Sequence, residues 1–273
     1  MTRRRGTTMV ATLQLVVAAV LLFPVLWLYL ASIRPSLDTQ TGGLIPASLT
    51  IDNYRHLFDQ RIMLTALRNS FVVAIFSAVI TTGLALTAAY SVSRFGYRGR
   101  RLVSTTVLVS QVVPTIVLIV PIVVLMRFLG LSNSLQGLAL VHLILALPIA
   151  FWLLRNFIDE LPREIEEAAA MDGCGPVGVL RFVVVPLLRP AIVAVASFAF
   201  ILSWGEYMVA LSLLTSKDVK TLPLAMQTLF QLHGVDLGLV AAAGVVVSFP
   251  VAVLFLLVQR QLIAGLASGG VKG

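Results

Sequence analysis

The sequence predicts an all-α, polytopic membrane protein with six transmembrane helices, and three observations carry that prediction. Hydrophobic residues make up 59% of the 273 positions and charged residues only 12%, with a mean hydropathy of +0.99, whereas about a quarter of an ordinary soluble domain is charged. The apolar residues gather into six runs, each close to the roughly twenty residues that a hydrocarbon crossing needs. The carboxylates gather elsewhere: six of the twelve acidic residues lie between positions 155 and 190.

The first run, residues 10–33, follows three arginines. A cleaved signal peptide would show a core of about 7 to 15 apolar residues and a small-residue cleavage site. This run is longer and lacks a clear A-x-A site, so it reads as a retained anchor. Next comes an external segment, residues 34–66, with turn signals at Thr41-Gly42-Gly43 and Pro46 and then the amphipathic string IDNYRHLF. There Asp52, with Tyr54, Leu57 and Phe58, is placed to cap a short helix lying on the outer surface. The remaining runs are 67–93, 102–126, 135–157, 187–214 and 237–258. A second external segment, 215–236, contains TLPLAMQTLFQL, too short to span and better suited to an interfacial or re-entrant helix. No linker, low-complexity tract or internal repeat interrupts the chain, so residues 1–273 are expected to form a single transmembrane domain.

Charge sets the expected orientation. Thirteen of the twenty Lys and Arg residues lie at the N-terminus, in 94–101, in 155–189 and in the C-terminal tail, against seven on the opposite side. The excess of basic residues in cytoplasmic loops then places both termini and the acidic segment in the cytoplasm. The net charge of +8 and pI near 10.4 follow from the same bias rather than from a nucleic-acid surface, because the basic residues flank apolar spans. A single cysteine, Cys174, excludes an internal disulfide and offers no metal-ligand spacing.

The acidic segment has internal order. A buried ionised carboxylate costs several kcal/mol, so six of them near one another imply a surface met by water or a protein partner. Pro162 suits the opening of a helix, Glu164, Glu166 and Glu167 complement its N-terminal dipole, and Ile165, Ala168 and Ala169 recur on one face. Gly173 is placed as a left-handed C-cap. Pro176 then starts a second helix, with Val177, Leu180, Val183 and Val184 on a shared face, that stops at Pro186 and Pro190.

These residues carry a resemblance. Glu167-Ala168-Ala169, followed by Asp172-Gly173 and by Val183 and Pro186, resembles the EAA loop of membrane subunits of bacterial ABC importers. The longer strings EEAAAMDGCGP, VVVPLLRP, LSWGEYMVALSLLTS and the tail GLASGGVKG resemble the carbohydrate-importer, maltose-type branch, in which binding proteins deliver the substrate. Cys174, Val183 and Gly205 depart from it, where alanine, isoleucine and asparagine are usual. The resemblance implies a cytoplasmic coupling helix between spans four and five that docks on an ATPase through Glu166, Glu167, Ala168, Ala169, Asp172, Gly173, Val183 and Pro186. It also implies an ATPase contact through Gly265, Gly269, Gly270 and Lys272 of the tail. The implied partners are a second permease subunit, two ABC ATPase subunits that hold ATP and Mg, an extracytoplasmic sugar-binding protein, a sugar and the lipid bilayer. The implied place is the bacterial cytoplasmic (inner) membrane.

Within the spans, Glu206 is the acidic residue set deepest in an apolar run, between Trp204-Gly205 and Tyr207. An intramembrane carboxylate is a functional candidate by default. Lining of a translocation pathway and a structural hydrogen bond both fit it. Gln111 and His142 join Trp204, Glu206 and Tyr207 as pathway candidates, with interhelical hydrogen bonding as the other reading of the Gln and His. Prolines at 24, 114, 121, 148 and 250 each remove a backbone hydrogen bond and act as static kinks or as hinges. The sequence contains no phosphate loop, HExxH, CxxC or GxSxG, so no catalytic residue, resident cofactor or metal is expected in this chain. Two alternatives to an ATP-driven importer subunit stay open: a proton-coupled secondary transporter using Glu206 or His142, and a non-catalytic membrane scaffold.

Overall fold

The computed structural model of the chain describes residues 2–35, 48–233 and 236–269, with side chains described over 12–35, 48–228 and 236–259. Every regular element among them is helical: α1 (Thr2–Ser32), α2 (Asp52–Asp59), α3 (Arg61–Arg94), α4 (Arg100–Ser110), α5 (Thr115–Phe128), α6 (Leu135–Glu160), α7 (Arg163–Met171), α8 (Pro176–Leu187), α9 (Arg189–Trp204), α10 (Met208–Leu213), a 3₁₀ turn (Lys217–Val219), α11 (Leu222–His233) and α12 (Leu237–Gly269). In hydrocarbon only a helix or a closed barrel satisfies its own backbone, which is why so apolar a chain folds this way.

Among the described residues, four helical stretches are long and apolar enough to cross a bilayer, Thr12–Ser32, Arg61–Arg94, Leu135–Glu160 and Leu237–Gln259, and two bent pairs bring the number to six if each is one span. The first bend corrects the expectation of a continuous third span, and the second falls where the helix begun at Pro176 was expected to stop. Between α4 and α5 the axis turns by 107° at Pro114, which has no N–H to continue the ladder and forces its neighbour out of the helical region. Between α8 and α9 it turns by 82° at Leu188, and Pro190 sits in the first turn of α9. The fifth run also stops early: α9 ends at Trp204 and the chain restarts as α10 at Met208.

The chain divides into two compact units. In one, residues 1–64 with 225–250, α2 is held by Asn53, whose Nδ2 donates to the carbonyls of Ser32 (2.9 Å) and Arg34 (2.7 Å), while the Tyr54 hydroxyl donates to Ser32 Oγ at 2.7 Å. Leu57 and Met63 are fully buried beside it. The short helix expected from IDNYRHLF is therefore present, with Asp52 in its first turn rather than as its cap. The Thr50 hydroxyl donates to the Asp52 carboxylate at 2.7 Å and holds its pKa below the usual carboxylate value. The turn signals at residues 41–43 and 46 lie outside the described residues.

In the other unit, residues 65–224 with 251–273, α6 packs on α9 and α3 through small residues. Ala85, Ala89, Ala146, Ala150 and Ala199 are all fully buried, and such residues let helix backbones approach where lipid removes the usual hydrophobic drive. Phe151, Leu154, Ile158, Val184 and Val195 complete the packing at the α6 end that leads into α7. At the other end two asparagines hold the segment between α10 and α11. Asn133 Oδ1 accepts from the backbone N–H of Thr215 (2.8 Å) and Ser216 (3.0 Å), and Asn69 Nδ2 donates to the carbonyls of Asp218 (2.8 Å) and Lys220 (3.0 Å).

Candidate functional site

The acidic segment is built from α7, a turn and α8. Pro162 occupies the position just before the first helical residue rather than within α7, and Glu164 and Glu166 lie in the first turn. The helix closes as expected at Gly173, with φ of +88°; the Gly173 N–H donates to Ala170 O (3.0 Å) and the Cys174 N–H to Ala169 O (3.0 Å). Only glycine takes that backbone conformation without steric cost.

The faces of α7 differ from those expected. Ile165 is 43% exposed, and Glu167 and Ala168 are exposed with it. Glu166 turns inward. Its Oε1 lies 2.6 Å from Arg94 Nε, its Oε2 accepts from the Tyr90 hydroxyl at 3.1 Å, and Arg94 and Glu166 keep only 9% and 11% of their side-chain surface. Arg94 also donates to the carbonyls of Ile158 (2.7 Å), which accepts from the Leu161 N–H as well (3.1 Å), and of Leu161 (3.0 Å), at the C-terminal end of α6. One guanidinium thus joins α3, the last turn of α6 and α7. Tyr90 and Arg94 are four residues apart, so both meet Glu166 from one face of α3. That spacing, at the basic end of a span, is the signal the sequence reading passed over.

The second helix also departs from simple periodicity. Val177 is 77% exposed, whereas Val179, Val184 and Leu188 are buried. The cause is a π-helical turn over Leu180–Val184, in which the Val185 N–H donates to Leu180 O. Pro186 lacks an N–H and would press on the carbonyl four residues back, and the widened turn absorbs this. Ala169 and Val183 pack against the α6–α9 core, and Pro186 is half-buried. Glu167, Ala168, Asp172 and Gly173 are left on the outer surface with Met171, which is 88% exposed. Of the tail residues, Gly265 and Gly269 fall in the backbone of α12 rather than in an irregular end, and Gly270 and Lys272 lie outside the described residues.

The pathway candidates separate. Glu206 is not inside a helix: it lies in the break between α9 and α10, and its carboxylate accepts from the N–H groups of Val209 (2.8 Å) and Ala210 (3.1 Å), two donors that the start of α10 leaves unpaired. His142, fully buried in α6, places Nε2 3.3 Å from Glu206 Oε2 and Nδ1 2.6 Å from Ser203 Oγ. Either tautomer sets one ring N–H against one of these neighbours. Trp204, 2% exposed, stacks on Phe200 with ring centroids 5.7 Å apart and meets Phe71 at 4.7 Å. Tyr207 packs at the edge of the core between α5, α6 and α10. Gln111 is exposed at the bend between α4 and α5. The structure therefore joins His142, Ser203 and Glu206 into one polar cluster and adds Ser203, which the sequence reading did not name.

The comparisons with known proteins agree with this architecture. The family described as binding-protein-dependent transport system inner membrane component matches residues 81–267. The trehalose transport system permease protein SugB of Mycobacterium tuberculosis is 36% identical, covering 98% of this chain and 99% of its own length. The trehalose/maltose transport system permease protein MalG of Thermococcus litoralis is 30% identical over 95% of this chain and 94% of its own. Among solved structures, a chain of a bacterial ABC transporter involved in the import of the polysaccharide alginate superposes with a TM-score of 0.79 at 21% identity, over 95% of this chain and 97% of that one. With the family match over most of the chain and relatives of this similarity along its whole length, the chain belongs to the binding-protein-dependent transport system inner membrane components.

Proposed function

We propose that the chain is the membrane-spanning subunit of an ATP-driven carbohydrate importer. It forms one half of the translocation pore, pairs with a second permease subunit, and works with two cytoplasmic ATPases that hold ATP and Mg and with an extracytoplasmic sugar-binding protein. The observation that carries this reading is the two-sided construction of α7: one side fastened to the transmembrane helices through Glu166, the other presenting Glu167, Ala168, Met171, Asp172 and Gly173. A helix tied to two spans and bare on its outer face is suited to pass a push from a docked protein into those spans. The relatives' names, trehalose and trehalose/maltose, support a di- or oligosaccharide as cargo.

In this reading both termini and α7 face the cytoplasm, Glu206, Tyr207 and Gln111 border the pathway with the buried His142 and Trp204 packed behind them, and residues 265–273 reach the ATPase pair. Alternating access requires that nucleotide and sugar each bind one pore conformation better than the other, since only differential affinity shifts such an equilibrium. The test is co-purification of the tagged chain with its ATPase, followed by ATP-dependent uptake in vesicles of a panel of labelled di- and oligosaccharides. Deleting everything after Ala264 should lower uptake. Failure to retain an ATPase, or uptake of no sugar on the panel, would refute the proposal.

A further inference from the structure

Beside the end of α3, a cavity of about 360 Å³ opens among Arg100, Arg101, Ser104, Arg155 and Asp159. Three guanidinium groups face one carboxylate there. That carboxylate is already engaged: Asp159 accepts from the Ser93 hydroxyl and lies 3.5 Å from Arg155 Nε. Arg155 is held in place by donating Nη1 to Ser104 Oγ at 3.0 Å and by resting over the Trp152 ring at 5.0 Å, yet its Nε is buried without a hydrogen bond. Arg100 and Arg101, exposed at the start of α4, make no ion pair among the described residues. The Ser104 hydroxyl is spent on Arg100 O at 3.0 Å, so the cavity's capacity lies in its excess of positive charge: guanidinium groups of this kind hold a phosphate monoanion by charge-assisted hydrogen bonds.

We propose that this cavity binds the phosphate of an anionic phospholipid headgroup. Its surroundings favour a lipid over a free anion. Leu102, next to Arg101, is 70% exposed, and Leu108 and Val109 further along α4 are 55% and 56% exposed, giving acyl chains an apolar face that begins beside the basic mouth. Phe95 and Tyr97, each 40% exposed in the preceding loop, are aromatics of the kind that sit at headgroup level. The proposed transport function enters only in choosing the cytoplasmic leaflet, where basic pockets between spans meet anionic lipid.

The full chain in neutral detergent, titrated with dioleoyl-phosphatidylglycerol, dioleoyl-phosphatidylcholine or inorganic phosphate and read by native mass spectrometry, tests the assignment. Phosphatidylglycerol should bind about tenfold more tightly than phosphatidylcholine, and the double variant R100Q/R101Q should lose that preference. R100K/R101K, which keeps the charge, should retain most of it. Equal binding of the two lipids, or a preference unchanged in R100Q/R101Q, would overturn the proposal. Competition by inorganic phosphate at concentrations similar to the lipid would make the cavity a free-anion site and overturn the lipid assignment. The readout needs neither ATPase nor sugar, so its failure is distinguishable from failure of the transport reading.

Discussion

Arg94 Nε and Glu166 Oε1 lie 2.6 Å apart with both side chains about nine-tenths buried, and this pair fastens α7 to α3. Removing one member of such a pair strands the other charge, at a cost of roughly 3 kcal/mol or more. Arg94→Met should be the harsher change, because it also removes the guanidinium bonds to the carbonyls of Ile158 and Leu161, of which Ile158 O still accepts from the Leu161 N–H. Glu166→Gln keeps an acceptor for the Tyr90 hydroxyl. We expect a lower melting temperature in detergent for both, larger for Arg94→Met, together with ATPase activity less responsive to sugar. An Arg94→Met protein melting like the wild type would contradict the fastening role.

The outer face of α7 is predicted to tolerate substitution in folding but not in coupling. Glu167 is exposed, so Glu167→Lys should leave insertion and melting nearly unchanged while weakening recovery of the ATPase. Gly173 differs in kind. A side chain there would meet no atom within 4 Å, but φ of +88° is costly for any L residue, by about 1 kcal/mol or more. Gly173→Asp should therefore lower both melting temperature and uptake. Normal uptake and normal ATPase retention in both variants would remove α7 from the coupling role.

Gly238 tests the packing of the other unit. A Cβ on it would stand 2.9 Å from Asn53 Nδ2, the atom that donates to the carbonyls of Ser32 and Arg34. Gly238→Ala should displace Asn53, free α2, and raise hydrogen exchange across residues 50–59. Unchanged exchange there would show that Asn53 yields without releasing α2.

Helix type, the six apolar runs and the Gly173 turn were legible in the sequence because each rests on local chemistry: apolar length, proline and glycine backbone limits, and charge sign. What was not legible depended on partners distant in sequence. Ile165 and Glu166 are neighbours, and composition alone does not tell which of the two turns inward. The structure assigns Glu166 inward, because Arg94 lies 72 positions away and on the right face. Likewise the exposure of Val177 follows from a π turn that Pro186 imposes from downstream. The break at Glu206 was hidden for the opposite reason. Its flanks are mostly apolar, and the carboxylate's bonds to Val209 and Ala210 reveal that it caps a new helix instead of interrupting an old one.

That capping role sharpens the choice between an ATP-driven importer and a proton-coupled carrier. Glu206→Gln removes the titratable proton yet keeps one oxygen able to accept from the Val209 N–H, while its amide nitrogen replaces the oxygen that faces His142 and accepts from the Ala210 N–H, so half of the cap is kept. In an ATP-driven importer the driving force arises at the ATPases, so this variant should retain uptake to within about threefold, a difference of less than 1 kcal/mol. Glu206→Leu removes the acceptor altogether. It should cost about 1 to 2 kcal/mol through the uncapped start of α10, with uptake and melting temperature falling together. A carrier that moves protons through His142 and Glu206 behaves differently: Gln would be as damaging as Leu for uptake while leaving melting near the wild type, and uptake would follow a pH gradient without ATP. Measuring uptake in vesicles, with ATP or with a pH gradient alone, beside the melting temperatures of the two variants separates the cases. We expect ATP-dependent uptake in Glu206→Gln, and gradient-driven uptake that this variant abolishes would overturn the importer assignment.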